Sequence, residues 1–151
     1  MALPDVKEVS EWLRSGEVAF TETPSLQFLE PVSDKVPFVL KPATETHADP
    51  FILISEVKYK EGGLAQAVPY WEGVIRVSHD AEESTYMYGI CRVADAPDLV
   101  KSLEVYETEQ YLWDVHAKSA EVAANVKATG GLRESLTRWP PLKRRAGFFI
   151  K

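Results

Sequence analysis

LEVYETEQYLWDVHAKSAEV, residues 103–122, changes its texture half-way along and so decides the fold. It opens as a strand-like run, turns, and continues as helical sequence from about Thr108 to Ala128, with a break near Lys118-Ser119 where Ser119 can cap a second piece. His116 sits in the aromatic part of that helical sequence, just ahead of the break.

Upstream, STYMYGICRVAD (84–95) reads as a strand with Tyr86, Tyr88, Ile90 and Arg92 on one face and Met87, Gly89, Cys91 and Val93 on the other. A turn over ADAPD returns it into SLEVYE, giving an antiparallel hairpin. Before the hairpin, FILISEVKY (51–59) is strongly β-prone and ends at Gly62-Gly63. In the next segment Leu64, Val68, Trp71, Ile75 and Ser78 share a helical stripe; Pro69 places the start of that helix, or a kink, near itself. Downstream, Gly130-Gly131 ends the last helix, a loop carries Trp139-Pro140-Pro141, and AGFFIK (146–151) supplies a closing strand.

From Phe51 onward the order is β-α-β-β-α-β. This is the ferredoxin-like α+β arrangement, an antiparallel sheet with both helices on one face. The other face, with Leu53 or Ile54, Leu103 or Glu104 and Phe148 or Phe149, needs another layer, most simply the same sheet of a second subunit. Residues 1–50 form a separate N-terminal unit: an amphipathic helix over Asp5–Ser15, then an extended arm cut by prolines into the runs LQFLEPV and VPFVL. WLRSGEVAF in this arm echoes WDVHAKSAEVAAN, so the arm reads either as a degenerate half-repeat or as a strap that wraps a partner subunit or lids a pocket.

Composition limits the function. A chain of 151 residues, 45% hydrophobic, can enclose one core. Its net charge of −6 disfavours nucleic acid as a partner, and no apolar run is long enough to span a bilayer. Cys91, the single cysteine, makes no internal disulfide and lies mid-strand as an inert thiol; no Cys/His cluster has metal-ligand spacing. A soluble, cytoplasmic protein is expected. The glycine pairs lack phosphate-loop spacing and no nucleophile elbow occurs.

The strand end and helix carrying Glu104, Tyr106, Glu107, His116 and Ser119 resemble the strand-to-helix junction of the antibiotic biosynthesis monooxygenase (ABM) family, and the resemblance extends over roughly Phe51–Lys151. It implies a homodimeric α/β barrel with an apolar pocket between sheet and helices in each subunit. It also implies cofactor-independent oxygenation, without metal or flavin, of a hydrophobic aromatic substrate such as a polyketide of secondary metabolism. Such chemistry needs a base to make an electron-rich carbanion or phenolate, a donor for its oxygen, and walls that exclude water.

His116 suits the base, since histidine titrates near neutrality, although a packed histidine bonded to a backbone carbonyl fits the same position. Tyr88 and Tyr86 offer hydroxyl donors, Trp71, Trp113 and Trp139 aromatic walls, and Arg92 a partner for a phenolate or carboxylate; core packing is the alternative for each aromatic. Whether the Tyr86/Tyr88/Arg92 face turns toward the helices is open. Arg133, after the glycine pair, is another anion partner, or a solvated loop residue. The same histidine and pocket serve a non-oxidative cyclase, decarboxylase or isomerase, and a barrel whose pocket is filled serves as a non-catalytic binding or assembly subunit. Haem degradation fits less well, because only one histidine offers itself as an axial ligand.

Overall fold

A computed structural model of the chain describes residues 27–36 and 38–142. The helix expected over Asp5–Ser15 and the strand expected over 146–151 lie outside them.

The β-prone run forms β3 (Phe51–Tyr59), flanked by β5 (Ala96–Tyr106) on one side and β6 (Arg133–Arg138) on the other. β4 (Thr85–Val93) pairs with β5, and the outer edge of β4 takes two short strands, β1 (Leu29–Pro31) and β2 (Val39–Leu40). Every pairing is antiparallel and the order is β1-β4-β5-β3-β6, so the β-α-β-β-α-β core has the ferredoxin-like arrangement.

Both core helices, α2 (Gly63–Asp80) and α4 (Ala120–Thr129), pack against each other over one face. Leu64, Ala67, Val74 and Ile75 of α2 meet Leu53, Val57, Tyr88, Ile90 and Val100 of the sheet to make the core. Near its start the carboxylate of Asp98 accepts from the backbone N–H groups of Gly62 (3.0 Å) and Leu64 (3.2 Å), which an α-helix leaves unpaired. Gly62 has φ +70°, the left-handed turn that lets β3 reverse into α2.

Two expectations need correction. α2 does not begin at Pro69 but runs through it from Gly63, because Asp98 anchors its first turn independently of the proline. RESLTR, which the sequence pattern assigns to a loop, is a strand: its backbone pairs with the free edge of β3, and an edge strand with exposed side chains carries no apolar alternation.

The arm from Leu29 to Pro50 packs against β4 and the core. Val32, Val36 and Val39 enter the core, and the short helix α1 (Ala43–Thr46) docks through Thr44, whose hydroxyl donates to the Tyr86 carbonyl at 2.7 Å. Lys41 Nζ donates to the carbonyls of Ser78 (3.3 Å) and Glu82, a cation at the negative end of α2.

On the second face of the sheet, Ile52, Ile54, Met87 and Leu103 are only half-buried. Part of that face is covered by Phe38, whose ring lies directly on Gly89: a Cβ at Gly89 would stand 1.7 Å from Phe38 Cε1. Gly89→Ala is therefore expected to destabilise by about 1–3 kcal/mol through overpacking. Urea denaturation checks this, with a smaller loss expected when the same change is made in a Phe38→Ala background.

Candidate active site

The break in the second helical segment positions the histidine. Thr108 caps α3 (Glu109–Asp114) by accepting from Tyr111 N at 3.1 Å, and Ser119 caps α4 by accepting from Val122 N at 3.3 Å. Between the two caps the chain makes one tight 3-10 turn, His116–Lys118, and this turn drives the His116 ring inward until it is buried.

There it meets a residue far away in sequence. His116 Nδ1 donates to Oε2 of Glu82 at 2.9 Å, and Ser78 Oγ lies 3.5 Å from the same nitrogen. Glu82 follows the end of α2, is itself buried, and accepts a further 2.6 Å bond from the Thr85 hydroxyl. Burial pushes the Glu82 carboxyl up, but its bond to His116, the imidazole charge and the Thr85 and Ser78 hydroxyls outweigh this and hold it below the usual carboxylate value. A carboxylate on Nδ1 fixes ring and tautomer, leaving Nε2 to a ligand.

Two tyrosine rings enclose the imidazole, Tyr88 at 4.8 Å and Tyr106 at 5.3 Å between centroids. The Tyr106 hydroxyl donates to Glu104 at 2.8 Å. Burial first, then the Glu104 carboxylate, pushes both phenols well above their ordinary value, so each stays protonated and able to donate.

His116, Tyr88 and Glu104 line one end of a cavity of about 120 Å³ between sheet and helices. Leu53, Val57, Val74 and Val100 form its apolar middle. At the other end stand Asn125 of α4 and Arg133 at the start of β6. Arg133 Nη2 donates to Asn125 Oδ1 (2.6 Å) and to the Thr129 hydroxyl (3.0 Å), and the guanidinium lies 5.9 Å from the Trp71 ring. Trp71 Nε1 in turn donates to the Tyr59 hydroxyl at 2.9 Å. Three polar atoms on residues around this space are buried without a hydrogen-bond partner among the described residues: Ser102 Oγ, Asn125 Nδ2 and Arg133 Nε.

Of the residues singled out from sequence, His116, Tyr88, Trp71 and Trp113 come together around the cavity, with Trp113 half-exposed at its mouth. Three lie elsewhere. A register shift between Thr85 and Met87 turns Tyr86 out of line with Tyr88, and its ring packs on His47 instead. Arg92 lies beyond the part of β4 that the helices cover and pairs with Glu30 of β1 at 3.2 Å on the surface. Trp139 sits on the opposite face of the sheet, where its ring takes Lys101 Nζ at 4.9 Å. Arg133 belongs to a strand and faces the cavity, not a solvated loop.

Glu82, Ser102 and Asn125 are not among the residues the sequence singles out, and Glu104 is there only as part of the family resemblance. Glu82 is hidden in HDAEES, which reads as a solvated helix end, but Ser102, Glu104 and Tyr106 alternate on one face of a strand. That row of inward polar groups was the available signal.

Solved structures share this architecture. A candidate monooxygenase from Fusobacterium nucleatum superposes with a TM-score of 0.71 at 10% identity, over 92% of this chain and 60% of its own. A candidate antibiotic biosynthesis monooxygenase from Bacteroides thetaiotaomicron gives 0.62 at 17% identity, over 68% of this chain and 97% of its own. The chain has the antibiotic biosynthesis monooxygenase fold. A candidate monooxygenase from Lactobacillus acidophilus, at a TM-score of 0.64 and 16% identity, matches 76% of this chain, which spans only half of that longer protein. No protein-family model and no curated protein matches the sequence. No helix among the described residues is long and apolar enough to cross a membrane. Within the ABM fold, the cavity between sheet and helices holds the buried Glu82–His116 pair described above.

Glu82→Gln tests the pair through stability. Because the native carboxyl titrates below its ordinary value, its stabilisation is present above the usual carboxylate range and is lost as pH falls through the lowered value. The variant is expected to be about 1–3 kcal/mol less stable than wild type at neutral pH, with the gap closing in acid once the wild-type carboxylate is also protonated. Chemical denaturation across pH measures it; a gap independent of pH would refute a buried carboxylate held by His116 and Thr85.

Proposed function

We propose that the protein is a cofactor-independent oxygenase of the ABM type that acts on a hydroxylated aromatic compound of the polyketide kind, with His116 as its base. The observation that carries this reading is the Nδ1–Glu82 bond beside an apolar cavity, since it presents Nε2 as a proton acceptor and stabilises the imidazolium that results.

His116 takes a proton from an acidic C–H or O–H of the substrate, leaving a carbanion or phenolate. Tyr88, protonated and on the cavity wall, donates to the oxygen on which charge gathers. The carbanion passes electrons to dioxygen and forms a C–O bond. The resulting hydroperoxide loses water, so a CH₂ carbon becomes a carbonyl, one oxygen atom enters the product and the other leaves as water. Trp71 and Trp113 supply aromatic walls.

The half-buried second face of the sheet supports a homodimer through that face. Sedimentation showing only monomer at micromolar concentration would remove this part of the reading.

With a one-ring hydroquinone as substrate, whose keto tautomer offers the CH₂ carbon, wild type is expected to consume one dioxygen per product and to incorporate one labelled oxygen atom from ¹⁸O₂. His116→Ala is expected to lower the rate by about 10²–10⁴-fold while leaving the far-ultraviolet circular dichroism unchanged. Turnover under strict anaerobiosis would overturn oxygenation and favour cyclisation or isomerisation with the same base.

A further inference from the structure

The end of the cavity away from His116 has a chemistry of its own. Asn125 is 2% exposed, and its amide orientation is settled by its neighbours: Arg133 Nη2 can only donate, so the atom it meets at 2.6 Å is the carbonyl oxygen. Thr129 contributes to the same lock, accepting from Arg133 and donating to the Asn125 main-chain carbonyl at 2.8 Å. With Oδ1 committed, Nδ2 remains as a buried donor without a partner, and Arg133 Nε is a second. No carboxylate among the described residues pairs with Arg133, which is held by two neutral groups and the face of Trp71. A half-buried cation and two unpaired donors at one end of a largely apolar cavity are costly unless something bound there accepts from them.

We propose that Asn125 and Arg133 form a carboxylate-recognising end of this cavity, so that its ligand is an aromatic acid. Two separate donors, one of them cationic, match the two oxygens of a carboxylate better than the single oxygen of a phenolate or ketone. The space between this end and His116 fits the rest: about 120 Å³ is on the scale of one ring, given that an apolar cavity of roughly 150 Å³ takes benzene. The ring lies among Leu53, Val57 and Val74 with its carboxylate at Arg133 and its acidic proton toward His116. Asn125 and Arg133 are specificity residues in this arrangement. The identification of the acid as substrate rests on the oxygenase reading above; its binding does not.

Isothermal titration in the absence of turnover tests the proposal with 4-hydroxybenzoate and its neutral isostere 4-hydroxybenzamide. Wild type is expected to bind the acid about tenfold or more tightly than the amide. Asn125→Asp keeps the Arg133 anchor and the shape of the side chain but replaces the free donor by an anion, and it is expected to abolish the preference. Arg133→Met is expected to do the same, with thermal melting to confirm that each variant folds. Equal affinity for acid and amide in wild type, a preference that survives Asn125→Asp, or no binding of the acid at millimolar concentration overturns the assignment. Oxygen uptake separates the two readings. Acid preference without oxygen consumption would remove the oxygenase alone, and oxygen consumption without acid preference would remove only the carboxylate site.

Discussion

The buried bond between Glu82 and His116 joins the segment that follows α2 to the turn that follows α3. Taking a carboxylate out of water costs several kcal/mol, and the loss is offset only when geometry and further hydrogen bonds are good. Here Thr85 and Ser78 supply those bonds, and both are placed by the same junction: Ser78 is in the last turn of α2 and Thr85 opens β4. Lys41, reaching from the arm to the carbonyls of Ser78 and Glu82, braces that junction from outside. One interaction thus fixes where α2 ends, where β4 begins and how deeply the turn after α3 is pressed into the sheet.

Because Nδ1 is held, the cavity is chemically directional. One end has His116, the protonated Tyr88 and Glu104; the other has a guanidinium and an amide; the middle is aliphatic. Evolution of stability alone would favour filling the unpaired positions at Ser102, Asn125 and Arg133 with apolar groups, since unsatisfied buried donors destabilise. Their presence in one cavity, around one ring's worth of space, is the pattern expected of a site in which the ligand completes the hydrogen bonding.

What could be read from sequence divides along the range of the interactions involved. The β3 run, the β4–β5 hairpin and the helix cap at Ser119 follow from alternation and local hydrogen bonding, and the structure has each of them. The same logic failed at RESLTR, because an edge strand with exposed side chains carries no apolar period and is recruited by the open edge of β3. It failed at Tyr86 for a different reason: strict alternation was carried through a register shift that side-chain patterning does not reveal. The partner of His116 was illegible because Glu82 lies 34 residues away in an acidic, apparently solvated stretch, and only the packing of α2 against the turn at His116 turns it inward.

The mouth of the cavity sets the remaining constraint on chemistry. Trp113 is 46% exposed and holds its indole N–H toward Glu109 at 3.4 Å, so this wall is tied to its own helix instead of closing over the space. On the proposed oxygenase reading, a carbanion formed at His116 would survive to meet dioxygen only where water is excluded. The volume takes about one ring, so a ligand that fills it is itself the plug, and any further ring would project past Trp113 into solvent. Binding and exclusion of water then become the same event. The polar contacts at Arg133 and Asn125 anchor the ligand at the far end from His116, which makes the length between its acid group and its ionisable proton the quantity that the cavity selects.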